Sequence, residues 1–210
     1  MRDGTKISAT EKRSRGRPRA YDPQAALAQA RDAFWKAGYA GTSLDDIAAA
    51  TGMNRPSLRA AFGDKHGIYL RTLADYWASK FELMHAALDG DDRLANSLMK
   101  VYDASLALYF GGEGPARGCF VVGTAITAAH ADVEVQQLVT EGFLTLDAAF
   151  ARRFERAKTE GELAAAADAT TLALLATATL QSLAVRARTG AARASLRAMA
   201  RKMVDTLCGG

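Results

Sequence analysis

Apolar residues recur at three- and four-residue spacing along most of the chain, and polar residues suited to starting a helix precede each recurring run. Asp22-Pro23 opens the first run, where Leu27, Ala30, Phe34 and Ala37 form one stripe and Gly38 ends it. Ser43 begins the second, with Asp46 three residues on as a carboxylate form of the capping box and Ile47 and Ala48 giving an inner face. Gly52 supplies a left-handed turn, and Asn54 caps a third run whose Leu58 and Phe62 face inward; Pro56 is tolerated in its first turn. Asp64 caps a long helix to about Leu88, carrying Leu73, Trp77, Phe81, Met84 and Leu88. The next runs from Asp91 to Phe110 with Leu94, Leu98, Val101, Ser105 and Leu108 on one side. After the Gly-rich break 111–115 come a short segment, Cys119–His130, and a long helix from Asp132 to about Lys158. Two Ala/Leu-rich helices, about 168–188 and 191–207, flank Gly190. The pattern predicts an all-α chain of about nine helices.

The close pair within 43–62 reads as a helix-turn-helix. Ala48 is small where a second helix must cross, and Gly52 follows four residues later. Arg55, Ser57 and Arg59 are left to project outward, where a recognition helix meets a major groove. Asn54 is a cap first and a contact second. Thr42 and Ser43, at a helix start, suit phosphate, and Lys65 is placed to clamp backbone. An ordinary helical hairpin is the bland alternative.

Charge strengthens the DNA reading. Arg2, Lys6, Lys12, Arg13, Arg15, Arg17 and Arg19 face only Asp3 and Glu11 within residues 1–20, whereas the whole chain nets +4. The positive charge is therefore concentrated in one arm, which gains affinity by releasing phosphate counterions. Within it, Arg15-Gly-Arg-Pro-Arg19 resembles the core of an AT-hook, so Arg15, Arg17 and Arg19 are candidates for minor-groove contact.

The remaining composition excludes more than it assigns. No apolar run approaches the ~20 residues of a bilayer span, and the N-terminus lacks an apolar export core, so a cytoplasmic protein without a membrane partner is expected. Cys119 and Cys208 are too few and too far apart for a zinc finger or a disulfide scaffold. With three histidines, no nucleophile elbow and no paired catalytic carboxylates, an enzyme is not expected. The Gly-rich 111–114 stretch lacks the strand and lysine of a phosphate cradle. No cofactor and no metal site is expected either. Cys119 has three readings: a buried core thiol, which is the commoner state, a thiolate beside Arg117, or a metal ligand with His85, His130 or Asp132.

The order of parts resembles the TetR/AcrR family of one-component repressors. The resemblance is carried by Phe34-Trp35, Gly38-Tyr39, Thr42-Ser43, Ile47-Ala48, Gly52, Pro56-Ser57-Leu58 and Phe62-Gly-Asp-Lys65. The basic arm, the Ala61–Lys65 run and Arg117-Gly-Cys-Phe-Val-Val122 resemble one branch, which includes a copper-responsive regulator. Members usually carry Tyr after the recognition-helix Leu, where its hydroxyl contacts phosphate. Arg59 stands there instead, able to hold phosphate or to read guanine bidentately.

The resemblance implies a basic flexible arm over 1–20, a DNA-binding domain over 21–67, and an effector-binding and dimerisation domain over 68–210. It implies a homodimer joined by the last two helices, through Leu172, Leu175, Thr179 and Leu183 on one and Leu196, Met199, Met203 and Leu207 on the other. On pattern alone, closing the monomer core is the lesser alternative for those stripes. It implies too that the middle helices hold a small-molecule effector among Trp77, Phe81, Met84, Tyr102, Tyr109, Cys119, Phe120, Phe143 and Leu146, which are otherwise core. The function expected is a ligand-responsive regulator, a repressor bound as a homodimer to a palindromic double-stranded operator and released by an effector. The rival is an architectural DNA binder relying on the AT-hook-like arm without effector control.

Overall fold

The computed structural model describes residues 22–112 and 114–209. The arm residues Arg15, Arg17 and Arg19 lie outside the described residues. Nine α-helices are present among them: α1 (Pro23–Ala37), α2 (Leu44–Thr51), α3 (Arg55–Phe62), α4 (Lys65–Leu88), α5 (Leu94–Tyr109), α6 (Ile126–Ala129), α7 (Val133–Thr159), α8 (Ala169–Arg188) and α9 (Arg193–Leu207). A π-helical turn, Val121–Ala125, leads into α6. None of these helices is long and apolar enough to cross a membrane.

The polar residues expected to start helices do so. Asp22, Ser43, Asn54, Asp64, Asp132 and Asp168 each accept a hydrogen bond from a backbone N–H of the first turn. These bonds satisfy donors that an isolated helix leaves open. Around Ser43 the full reciprocal box forms: its hydroxyl accepts from Asp46 N–H, and the Asp46 carboxylate accepts from Ser43 N–H at 2.8 Å. Gly52 has φ +65°, the left-handed turn a side chain would resist.

One departure is α5, expected from Asp91 and found from Leu94. Its N-cap residue Arg93 gives no side-chain cap, and the Glu162 carboxylate, from the turn after α7, accepts the Leu94 N–H at 2.8 Å instead.

Helices α1 and α3 pack against α4, α2 is held between α1 and α3, and α4 continues across to α5 and α7. Helix α7 lies along α8, and α9 covers α5 and α8. One continuous apolar core results, from Ile47 and Leu58 through Tyr69, Tyr76 and Phe120 to Leu146, Leu183 and Val204. Gly142 lets α7 approach α4: a Cβ there would lie 2.1 Å from the Trp77 indole.

This core corrects the expected dimer stripes. Thr179, Leu183, Leu196 and Leu207 are buried within the monomer, and Thr179 donates its hydroxyl to the Leu175 carbonyl. A side chain without solvent exposure presents nothing to a second chain. Leu172, Met199 and Met203 are only partly buried, and Leu175 is 46% exposed. On α8 the outward apolar residues are Leu174, Leu175 and Val185.

Candidate nucleic-acid interface and sensor cleft

Helices α2 and α3, joined by the Gly52 turn, present one exposed polar edge. The Asn54 carboxamide accepts the Ser57 N–H at 2.9 Å, so Asn54 acts as the cap of α3. Arg59 is exposed and has no hydrogen-bond or ion-pair partner for its guanidinium among the described residues. Arg55 is exposed too, but is paired through two nitrogens with Asp45 of α2. That pairing holds the Asp45 carboxyl below its ordinary range and raises Arg55. Ser57 is half-buried, and Lys65 rests its ammonium 4.4 Å from the Tyr39 ring centre at the start of α4.

Thr42 and Ser43 differ from their expected role. Thr42 is 2% exposed and donates its hydroxyl to the Gly38 carbonyl at 2.7 Å, so it locks the α1–α2 turn. The Ser43 hydroxyl is engaged with Asp46 in the cap at 2.6 Å. Neither hydroxyl is free for phosphate. Ser43 remains exposed at the helix start.

Between this head and the helical body runs an aromatic seam. Trp35 of α1 meets Tyr76 and Phe120 at 5.5 and 5.4 Å between ring centres, and Tyr69 meets Phe34 and Tyr39 at 4.9 and 4.6 Å. Arg117 stacks 4.4 Å over Trp35 and pairs with Asp32 at 2.8 Å, while its carbonyl accepts from Trp35 Nε1 and Arg188. Arg117 therefore docks on α1 and does not serve as the cationic neighbour expected for Cys119.

The body contains a cleft of about 240 Å³ lined by Trp77, Tyr109, Cys119, Phe143 and Leu146, five of the expected effector residues. Phe81 stacks on Trp77 at its edge, and Met84 lines a neighbouring cleft of about 250 Å³. Tyr102 and Phe120 line neither: Tyr102 donates its hydroxyl to the Ala176 carbonyl, and Phe120 belongs to the aromatic seam. Cys119 is buried, and its sulfur accepts from the Tyr76 hydroxyl at 3.2 Å. Sequence reading missed Lys80, Thr177 and Gln181 as cleft residues. Lys80 carried a signal, since it falls on the inward stripe of Leu73, Trp77 and Met84.

Among the described residues one group has atoms placed to hold a metal: His66, Asp132 and Glu134, within 4.8 Å of one another. Spacing along the chain hid it, because His66 comes from α4 and the carboxylates from α7. Its geometry is that of a hydrogen-bonded side-chain pair with a second carboxylate nearby. His66 Nε2 lies 2.7 Å from Asp132, while Nδ1 faces Glu134 at 3.8 Å, so the two ring nitrogens address different carboxylates. Burial works against the charge on Asp132, but bonds from the Val135 N–H and His66 hold its carboxyl below the ordinary range.

A capped helix-turn-helix with an outward cationic edge, joined through an aromatic seam to a larger helical body, defines a DNA-binding transcriptional regulator rather than an enzyme. The chain belongs to the tetR family of bacterial regulatory proteins, whose description matches residues 26–72, with a tetracyclin repressor-like C-terminal domain matching residues 90–203. It is 30% identical to the HTH-type transcriptional repressor ComR of Escherichia coli K12 over 86% of each chain. It is 33% identical to the repressor BdcR of the same organism over 54% of this chain and 58% of BdcR. Among solved structures, a cysteine mutant of the TetR family regulator CifR complexed with 26-base-pair operator DNA superimposes with a TM-score of 0.81. That similarity has 31% identity and covers 90% of this chain and 98% of CifR.

Proposed function

We propose that this chain is a ligand-responsive repressor that binds a palindromic operator as a homodimer and leaves it when a small molecule fills the body. The carrying observation is the exposed edge of α3, where Arg59 stands unpaired beside the capped turn. The repressor names of ComR and BdcR and the operator complex of CifR support the same reading. A single reading head spans too few base pairs to select a genomic site, so two are paired by symmetry. The outward Leu174, Leu175 and Val185 of α8 offer the apolar surface for that pairing. Such a regulator acts in the cytoplasm, with the DNA it controls.

Selection of bound duplexes from a random pool, with the full chain and with a version lacking residues 1–20, tests this reading. An inverted repeat enriched by both proteins is expected. Enrichment of A·T content alone, lost with the arm, overturns it in favour of the architectural binder.

A further inference from the structure

Lys80 is out of place by ordinary accounting. It sits on the inward face of α4, only 4% exposed, and its ammonium has no hydrogen-bond or ion-pair partner among the described residues. A buried ammonium normally demands a counter-charge. Here its neighbours are the Tyr109 ring, 5.8 Å from Nζ, and the Cys119 thiol. Desolvation depresses its basicity, and no carboxylate opposes that.

Two further buried polar atoms at the same cleft are unpartnered: Trp77 Nε1, which can only donate, and the Thr177 hydroxyl. Other buried polar atoms without a hydrogen-bond partner, at Asp147, Arg153 and Arg156 of the body, do not line the cleft, and Tyr76 and Tyr102 are satisfied by Cys119 and Ala176. Two unsatisfied groups beside an ammonium without a counter-charge, all on one apolar cleft, describe a site prepared for an acceptor that arrives from outside.

Lys80 is also the one residue shared by the two clefts, of about 240 and 250 Å³. Both clefts are narrow and nearly filled by their own lining, with free space far short of the ~300–1,000 Å³ of small-molecule sites, so a ligand enters only if the Lys80 stem swings aside and opens them into one.

We propose that the joined cleft takes an amphipathic organic acid, its carboxylate seated on the Lys80 ammonium and its apolar body packed against Trp77, Phe143 and Leu146. This assignment rests on the effector-responsive reading above and names the effector's chemical class. Trp77 Nε1–H and the Thr177 hydroxyl donate to the carboxylate oxygens. One lysine without an arginine fork matches a monoanion rather than a phosphate.

Calorimetric titration of the full chain, without DNA, tests the site with 4-phenylbutyrate and octanoate against their neutral primary amides. The wild type is expected to bind the acids about tenfold or more tightly than the amides, and Lys80→Met to lose that margin. Lys80→Met should also melt at a higher temperature, since it removes an unpartnered buried charge at similar volume. Lys80→Gln supplies a second uncharged variant should Met fail to fold. Equal binding of acid and amide, retention of the preference without Lys80, or no binding of either acid overturns the proposal. Operator release is read separately by fluorescence anisotropy. Acids that bind through Lys80 but leave the operator complex intact uphold the site and overturn the effector-release reading.

Discussion

Arg59 and Arg55 occupy the same exposed edge of α3 but in different states, and the roles proposed for them in DNA binding separate accordingly. Arg59 has nothing to release, so Arg59→Ala is expected to weaken operator binding by ~1–3 kcal/mol if it reads a base. In a gel-shift titration, a uniform loss across unrelated duplexes would make it a phosphate contact instead. Arg55, as a proposed contact, would have to exchange Asp45 for DNA. Asp45→Asn frees it and removes a negative charge, so binding should tighten and its salt dependence steepen, with little change in melting temperature because the pair is exposed. Both arginines were legible from helical phase. The Asp45 pairing was not, because residues ten apart on different helices meet only once the turn is built. Thr42 was misread for a similar reason: position at a helix start says nothing about a hydroxyl turned back to Gly38.

Helix boundaries were legible wherever the cap is local, as at Ser43, Asn54 and Asp132. They failed at α5, whose first N–H is capped by Glu162 from 68 residues away. Glu162 also pairs at 2.9 Å with Arg153, whose side chain is 1% exposed. Burial works against the charge on Glu162, but bonds from Arg153 and the Leu94 N–H hold its carboxyl below the ordinary 4.5. Its stabilising contribution is therefore fully present above that value and is lost as the pH falls below it through the depressed one. Glu162→Ala should cost ~1–3 kcal/mol at neutral pH, since Arg153 is left with the Glu160 carboxylate 3.9 Å away, and should remove this component from the acid-unfolding curve. On α7, Gly142→Ala drives a methyl into Trp77 and is expected to destabilise by ~1–3 kcal/mol in thermal melts. Thr179, Leu183, Leu196 and Leu207 of the expected dimer stripes turned inward because α8 carries apolar residues all round, so periodicity could not say which side meets α9 and which faces out.

At the scale of the molecule, the order of helices and the reading head were visible in the sequence, while the cleft was only half visible. Aromatic positions pointed to it. The polar groups that give it chemical character lie on α4 and α8 and converge only in three dimensions. Pairing of two chains is expected to depend on the outward side of α8. Leu174→Glu combined with Val185→Glu should yield a folded monomer by sedimentation, with helix content unchanged and operator binding lost. A variant that remains dimeric would move the contact elsewhere.

The Arg117 contacts have a consequence for transplanting specificity. Asp32 and Trp35 belong to the reading head by position, yet they seat Arg117 of the loop before the π turn, whose carbonyl in turn accepts from Arg188 of α8. A graft that replaces residues 22–62 with the head of another regulator would bring new base contacts but discard this seat. Such a chimaera is expected to bind its new operator and, on the proposed function, to lose its response to a small molecule bound in the body. Carrying Asp32 and Trp35 across with the graft is the minimal change that would let it listen again.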